Sequence, residues 1–136
     1  MTRGRLYLAM LAGWVALTFT LTSIPDPEFG PSFPGADKLA HFGFYGVMGF
    51  LFVLWRREIG TEAAAAVAWA AIFAALLGAV DEVHQQWVPG RSMEFFDWVA
   101  DFAGGTAGGF CSAVAASMLP FLLTRKPPPF SRVFKD

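Results

Sequence analysis

The chain has 136 residues, a net charge of −1, 55% hydrophobic residues and only 15% charged ones. A soluble domain carries about 25% charged residues, so the composition points into lipid, and the length fits a single domain, 1–136. The lone cysteine, Cys111, excludes an internal disulfide, and with no basic stripe or recognition motif the chain is not expected to bind nucleic acid.

The first apolar run, Leu6–Ile24, carries no charge and follows Arg3 and Arg5. It is longer than the ~7–15 residues of a signal-peptide core and no A-x-A cleavage site follows, so it reads as a retained helix. Residues 25–35 are rich in proline (Pro25, Pro27, Pro31, Pro34) with Gly30 and Gly35, which predicts an extended, non-helical connection. The second run, Leu39–Trp55, includes His41 and ends at Arg56 and Arg57. The third, Ala63–Val80, is alanine-rich. A polar stretch, 81–101, contains the turn signal Val88-Pro89-Gly90. The fourth run, Phe102–Leu123, is the longest, and Pro127–Pro129 opens a short tail. Each run falls within the ~17–25 residues that cross a bilayer as a helix, the second and third at the short end. Open sheet edges cannot sit in lipid, and a barrel would show ~10-residue alternating segments. The expected fold is an all-α integral membrane protein, a four-transmembrane-helix bundle with spans at about 6–24, 39–55, 63–80 and 102–123.

Charge sets the expected direction. Arg3, Arg5, Arg56, Arg57, Arg125, Lys126, Arg132 and Lys135 fall on one side, and only Lys38 and Arg91 on the other. The positive-inside rule puts the larger group, and with it both termini, in the cytoplasm. The outer side then carries Asp26, Glu28, Asp37, Asp81, Glu82, Glu94, Asp97 and Asp101 together with both histidines. Trp55, Trp87 and Trp98 fall at the expected interfaces, where amphipathic rings anchor helices.

Polar residues gather at the outer ends of spans two, three and four. Asp37, His41 and Tyr45 are spaced i, i+4, i+8, beside Lys38. Asp81 and Gln85 share a face with Glu82 adjacent, provided the third helix runs past Val80. Asp97 and Asp101 are four apart, and Arg91 lies just beyond the turn. Ionisable groups at membrane depth cost about 2.5–3.5 kcal/mol at mid-bilayer on insertion scales, so these should face one another. Arg91 is the expected bidentate partner of Asp97 or Asp81. Two readings stay open for the cluster: a hydrogen-bond network that fixes the bundle, or a site for a headgroup or other ligand, with Arg91 as an anion clamp. Gly104/Gly108 and Gly105/Gly109 form two small-xxx-small pairs, suited to packing within the chain or to a homodimer. No H-E-x-x-H or other fixed-spacing motif points to a metal, so no metal and no cofactor are expected. Ser92 lacks the context of a nucleophile, and the paired carboxylates are the sole hint of acid–base chemistry. Catalysis is left open, with the balance against it.

The run Asp37-Lys38-Leu39-Ala40-His41-Phe42 with Tyr45, then Asp81-Glu82-x-x-Gln85, Pro89-Gly90-Arg91-Ser92, Asp97 and a glycine-rich helix resembles VanZ-like membrane proteins in order and spacing. The likeness extends over roughly residues 6–123. It departs at Asp101, where that family usually has asparagine. The family takes its name from a protein associated with resistance to the glycopeptide teicoplanin. The resemblance implies a multi-pass protein of the bacterial cytoplasmic (inner) membrane with a link to the cell envelope, and no established reaction. The expected function is binding of an amphiphile, lipid or cell-wall precursor at an outer-face polar pocket. The alternatives are an accessory subunit of a larger membrane complex and an enzyme acting on a lipid-linked substrate.

Overall fold

A computed structural model describes residues 2–25 and 33–124. These form four long helices, α1 (Arg3–Thr22), α2 (Ala36–Glu58), α3 (Ala63–Gln85) and α4 (Phe95–Met118), and a 3-10 turn at Pro120–Leu122. No strand occurs among the described residues. Most of the proline-rich connection, 26–32 with Asp26 and Glu28, and the tail 125–136 lie outside them.

Local chemistry fixes the helix ends. The Thr2 hydroxyl accepts from the Arg5 amide at the start of α1, and the Glu62 carboxylate accepts from the Ala65 amide at 3.1 Å at the start of α3. Gly35, at φ +83°, supplies the left-handed residue from which α2 departs. α3 continues beyond its apolar run to Gln85, so Asp81 and Gln85 do share a buried face. The fourth helix differs most from expectation. It begins at Phe95 rather than 102 and ends at Met118 rather than 123. Its first turns carry Asp97 and Asp101, and a carboxylate in the first turn complements the positive helix end. Pro120 ends it, because the residue before a proline is driven out of the helical region. Leu119 sits at φ −120°, ψ 74°.

Three helices, α1, α2 and α3, are long and apolar enough to cross a bilayer. α4 has the length, but its glycines, hydroxyls and two aspartates lower its hydropathy. The bundle is built inside out relative to a soluble protein. Leu8, Leu17, Phe42, Ile72, Leu76, Phe102 and Phe110 point outward. The interior is lined by Ala66, Ala70 and Ala74 with Tyr45, Met48 and Val53. Lipid-facing leucine and phenylalanine around a small-residue interior is the pattern of membrane helix packing.

α2 touches all three other helices and meets α4 most extensively. α2 and α4 run parallel, and their backbones nearly touch. A methyl at Gly108 would run into the carbonyl of Gly46, and one at Gly104 into that of Phe42. α3 and α4 run antiparallel, and two columns of four-residue period face each other: Ala70 meets Gly109, Ala74 meets Gly105, and Gly78 meets Asp101. The same register carried one step further pairs Glu82 with Asp97. Small residues draw the helices together, and the columns end in carboxylates. The glycine stripe of α4 is thus taken up against α2 and α3 within one chain.

The bundle has a basic end and a polar end. Arg3, Arg5, Arg56 and Arg57 lie at the former, where Thr124 binds the Glu58 carboxylate and Arg3 donates to the Phe121 carbonyl. The polar end gathers the last turns of α1 and α3 and the first turns of α2 and α4.

Candidate functional site

The polar end is ordered by one turn. Val88, Pro89, Gly90 and Arg91 form a β-turn with the Arg91 amide bonded to the Val88 carbonyl at 3.1 Å. Gly90 has φ +77°, so proline followed by left-handed glycine makes it a type II turn. The turn aims Arg91 across the bundle at α1. Its Nε donates to the Ile24 carbonyl at 3.1 Å, Nη2 to the Leu21 carbonyl at 3.3 Å and Nη1 to Gln85 Oε1 at 3.4 Å. Arg91 therefore does not pair with Asp97 or Asp81. It caps the carbonyls that the end of α1 leaves without partners, and few donors remain for an anion.

Lys38 takes the role expected of Arg91. Its ammonium lies 2.8 Å from Asp37, 2.8 Å from Glu94 and 3.0 Å from Asp97. Asp37 and Glu94 are half exposed while Asp97 is buried, so this ammonium closes the mouth of the cluster. One turn deeper, His41 Nδ1 donates to Asp101 Oδ1 at 2.9 Å. Asp101 is fully buried, and its carboxylate lies against Gly78. Asp81, also fully buried, accepts from the Thr22 hydroxyl at 2.7 Å. Glu82 accepts the Glu94 amide at 2.7 Å, which ties the end of α3 to the start of α4. The stripe Asp37, His41, Tyr45 splits among three environments. Asp37 binds its neighbour Lys38, and His41 binds α4. Tyr45 is fully buried, and its hydroxyl has no hydrogen-bond partner among the described residues.

All ten polar residues singled out in the sequence lie at this end or within about two and a half turns below it, Tyr45 the deepest. Three participants escape a reading of the sequence. Thr22 is silent in a run of apolar residues, although buried Thr18 and Thr22 stand four apart on one face of α1. Glu94 reads only as an outer carboxylate. Gly78 is a single glycine in an alanine-rich helix whose role depends on what α4 places beside it.

The cluster is rich in acceptors. Asp81, Glu82, Asp97 and Asp101 are at most 5% exposed. Asp81 Oδ2, Glu82 Oε1 and Asp101 Oδ2 have no hydrogen-bond partner among the described residues. Among those residues, only the permanent cations Lys38 and Arg91 stand at this end against these four carboxylates, Asp37 and Glu94, and Arg91 faces carbonyls. Carboxylates left this way in a low-dielectric site cost several kcal/mol each unless protons, donors or cations meet them. One ligand atom each from His41, Glu82 and Asp97 lies within 4.8 Å of the others, in a buried group.

A family model described as VanZ/LLP1 matches residues 6–116. The chain belongs to the VanZ/LLP1 family. The match takes in every polar residue of the cluster and ends within the final turn of α4. With its apolar helices it makes this a VanZ-like, multi-pass membrane protein. Comparison with curated proteins and with solved structures finds no match.

Proposed function

We propose that this VanZ-family protein holds the headgroup of an envelope amphiphile at its polar end, on the outer face of the bacterial cytoplasmic membrane. The orientation follows from the basic residues, eight of ten of which belong to the opposite end in sequence. The observation that carries the reading is the set of buried carboxylate oxygens without partners, Asp81 Oδ2, Glu82 Oε1 and Asp101 Oδ2, together at one membrane-facing end. Buried polar groups in a native protein nearly always find partners, so acceptors left over in a group mark a place for donors from outside.

Their chemistry selects the headgroup. Lys38 is shared among three carboxylates and Arg91 caps α1, which leaves no free cation among the described residues of this end for a bare phosphate. Amines and hydroxyls match instead, as on an aminated or sugar-bearing amphiphile. The exposed apolar flanks of α3 and α4, with Val80, Val83, Phe95 and Phe96 beside the cluster, suit the acyl or isoprenoid part.

Native mass spectrometry on protein taken from its own membrane in mild detergent tests this. The expected result is a retained amphiphile with amine or hydroxyl headgroup groups. Asp81→Asn should release it, because one acceptor becomes a donor while the Thr22 hydrogen bond is kept. No retained amphiphile, or one held equally by Asp81→Asn, would refute the reading.

A further inference from the structure

One of the leftover acceptors, Glu82 Oε1, belongs to a residue that also stands in a group of three able to hold an ion. We infer that His41, Glu82 and Asp97 form a binding site for a divalent transition-metal cation, such as Zn2+ or Mn2+, between α2, α3 and α4.

Three independent features support it. The first is placement. One ligand atom from each residue lies within 4.8 Å of the others; at metal–ligand distances of about 2.0–2.2 Å one ion spans at most about 4.4 Å, so a pair at that limit closes by at least a few tenths of an ångström around the ion. The three residues come from three helices, and the column register of α3 against α4 sets two of them opposite each other.

The second is an unpartnered ligand. Glu82 is 3% exposed, and its Oε2 is taken by the Glu94 amide while its Oε1 has no partner. This carboxylate is part of the triad and is held in place by one oxygen with the other left over.

The third is the histidine. Its Nδ1 lies 2.9 Å from the buried Asp101 carboxylate; with Nδ1 as the donor to that carboxylate, Nε2 is the nitrogen whose lone pair is offered to an ion. A metal-bound histidine characteristically has its other ring nitrogen on a carboxylate, and that partner orients the ring and raises its basicity.

Charge agrees with this assignment. Asp81, Glu82, Asp97, Asp101, Asp37 and Glu94 stand against only Lys38 and Arg91 among the described residues of this end, so a divalent ion offsets half of the excess negative charge. One imidazole nitrogen with two carboxylates suits zinc or manganese better than calcium or magnesium, which favour oxygen alone. Three protein ligands also leave a coordination position open to water or a ligand oxygen. The neighbouring trio Asp37, Glu94 and Asp97 has comparable spacing, but the Lys38 ammonium already sits among its oxygens.

The ion shares the polar end with the proposed headgroup but does not depend on it, so either can fail alone. The test uses the full chain in detergent, stripped with a chelator and titrated with Co2+ while visible absorption is followed, then with Zn2+ in competition. The expected result is one equivalent of Co2+ per chain with ligand-field bands, displaced by Zn2+. His41→Gln and Glu82→Gln should each weaken binding by more than about 100-fold, at or beyond the upper end of the effect of losing even a supporting partner. Glu62→Gln, at the opposite end of α3, should leave it within about threefold. Thermal unfolding with and without Zn2+ guards against misfolded variants: the ion should raise the midpoint of the wild type and not that of His41→Gln. Absence of a stoichiometric band in the wild type overturns the proposal, as does a band that survives both ligand substitutions. If native mass spectrometry finds an amphiphile on chelator-treated protein that gives no Co2+ band, the metal site falls and the headgroup reading stands. The reverse pair of results leaves the metal site standing alone.

Discussion

Gly78→Ala tests the register that assembles the polar end. A β-carbon built at Gly78 lies 2.7 Å from Asp101 Oδ2 and 2.9 Å from Asp101 Cβ, closer than such atoms approach without movement. Asp101 is fully buried and bonded to His41, so it cannot swing into solvent. Overpacking of this kind costs about 1–3 kcal/mol. Displacing the carboxylate weakens a charged hydrogen bond worth about 1.5–3 kcal/mol. Alanine returns about 0.8–1.0 kcal/mol of helix propensity. The net expectation is a loss of about 2–5 kcal/mol. Gly13→Ala and Gly43→Ala are the controls, since neither β-carbon meets anything within 4 Å; each should be neutral or stabilising by up to about 1 kcal/mol. Equilibrium unfolding by sodium dodecyl sulfate in mixed micelles, followed by tryptophan fluorescence, reads all three. Gly78→Ala as stable as the controls would mean that Asp101 does not pack on α3, and the Glu82–Asp97 juxtaposition would fall with it.

Arg91→Ala should loosen the end of α1 by about 1–3 kcal/mol, the scale of hydrogen bonds from a charged donor. Amide exchange should speed up over Phe19–Ile24 and stay unchanged in the middle of α3, and protection equal to wild type at α1 would show that Arg91 does not hold that helix. Glu62 gives a pH dependence at the basic end. The Ala64 and Ala65 amides hold its carboxyl below the usual carboxylate range, so its folded value lies under the unfolded one. Its stabilising effect is then present above the unfolded value, near 4.5, and is lost as pH falls through the folded value. Glu62→Ala should remove this dependence and cost about 1 kcal/mol; an unchanged acid unfolding profile would contradict the capping role.

How much of this is legible in the sequence differs by residue. The apolar runs at 6–24, 39–55 and 63–80 lie almost wholly within α1, α2 and α3 because length and hydropathy are properties of a segment alone. The fourth run misleads at both ends for local reasons. Pro120 cuts it short, and the carboxylate-bearing start of α4 looks like loop because Asp97 and Asp101 are polar where lipid would be expected. Which polar residues gather is also readable, since Asp37, His41, Asp81, Gln85, Asp97 and Asp101 recur at four-residue spacing. Who partners whom is not. Arg91 has a type II turn in its own sequence, Val88-Pro89-Gly90, but the turn's direction depends on where α1 ends. A guanidinium beside eight carboxylates invites an ion pair, and the geometry gives it carbonyls.

Asp101 shows where that boundary lies. As a sequence feature it is a carboxylate where the resemblance to VanZ-like proteins implies asparagine. In the structure its Oδ1 accepts from His41 Nδ1, a bond that an asparagine carbonyl oxygen also makes. Orientation of His41 therefore does not require the acid; what the acid adds is one more buried negative charge. That charge is costly beside Glu82 and Asp97 unless a proton, a donor or a cation meets it, and Lys38, one turn nearer the surface, serves Asp37, Glu94 and Asp97. For the metal site inferred above, the extra charge favours a cation, so Asp101→Asn should bind Co2+ more weakly at the same three ligands, and equal binding would show that the acid does not contribute.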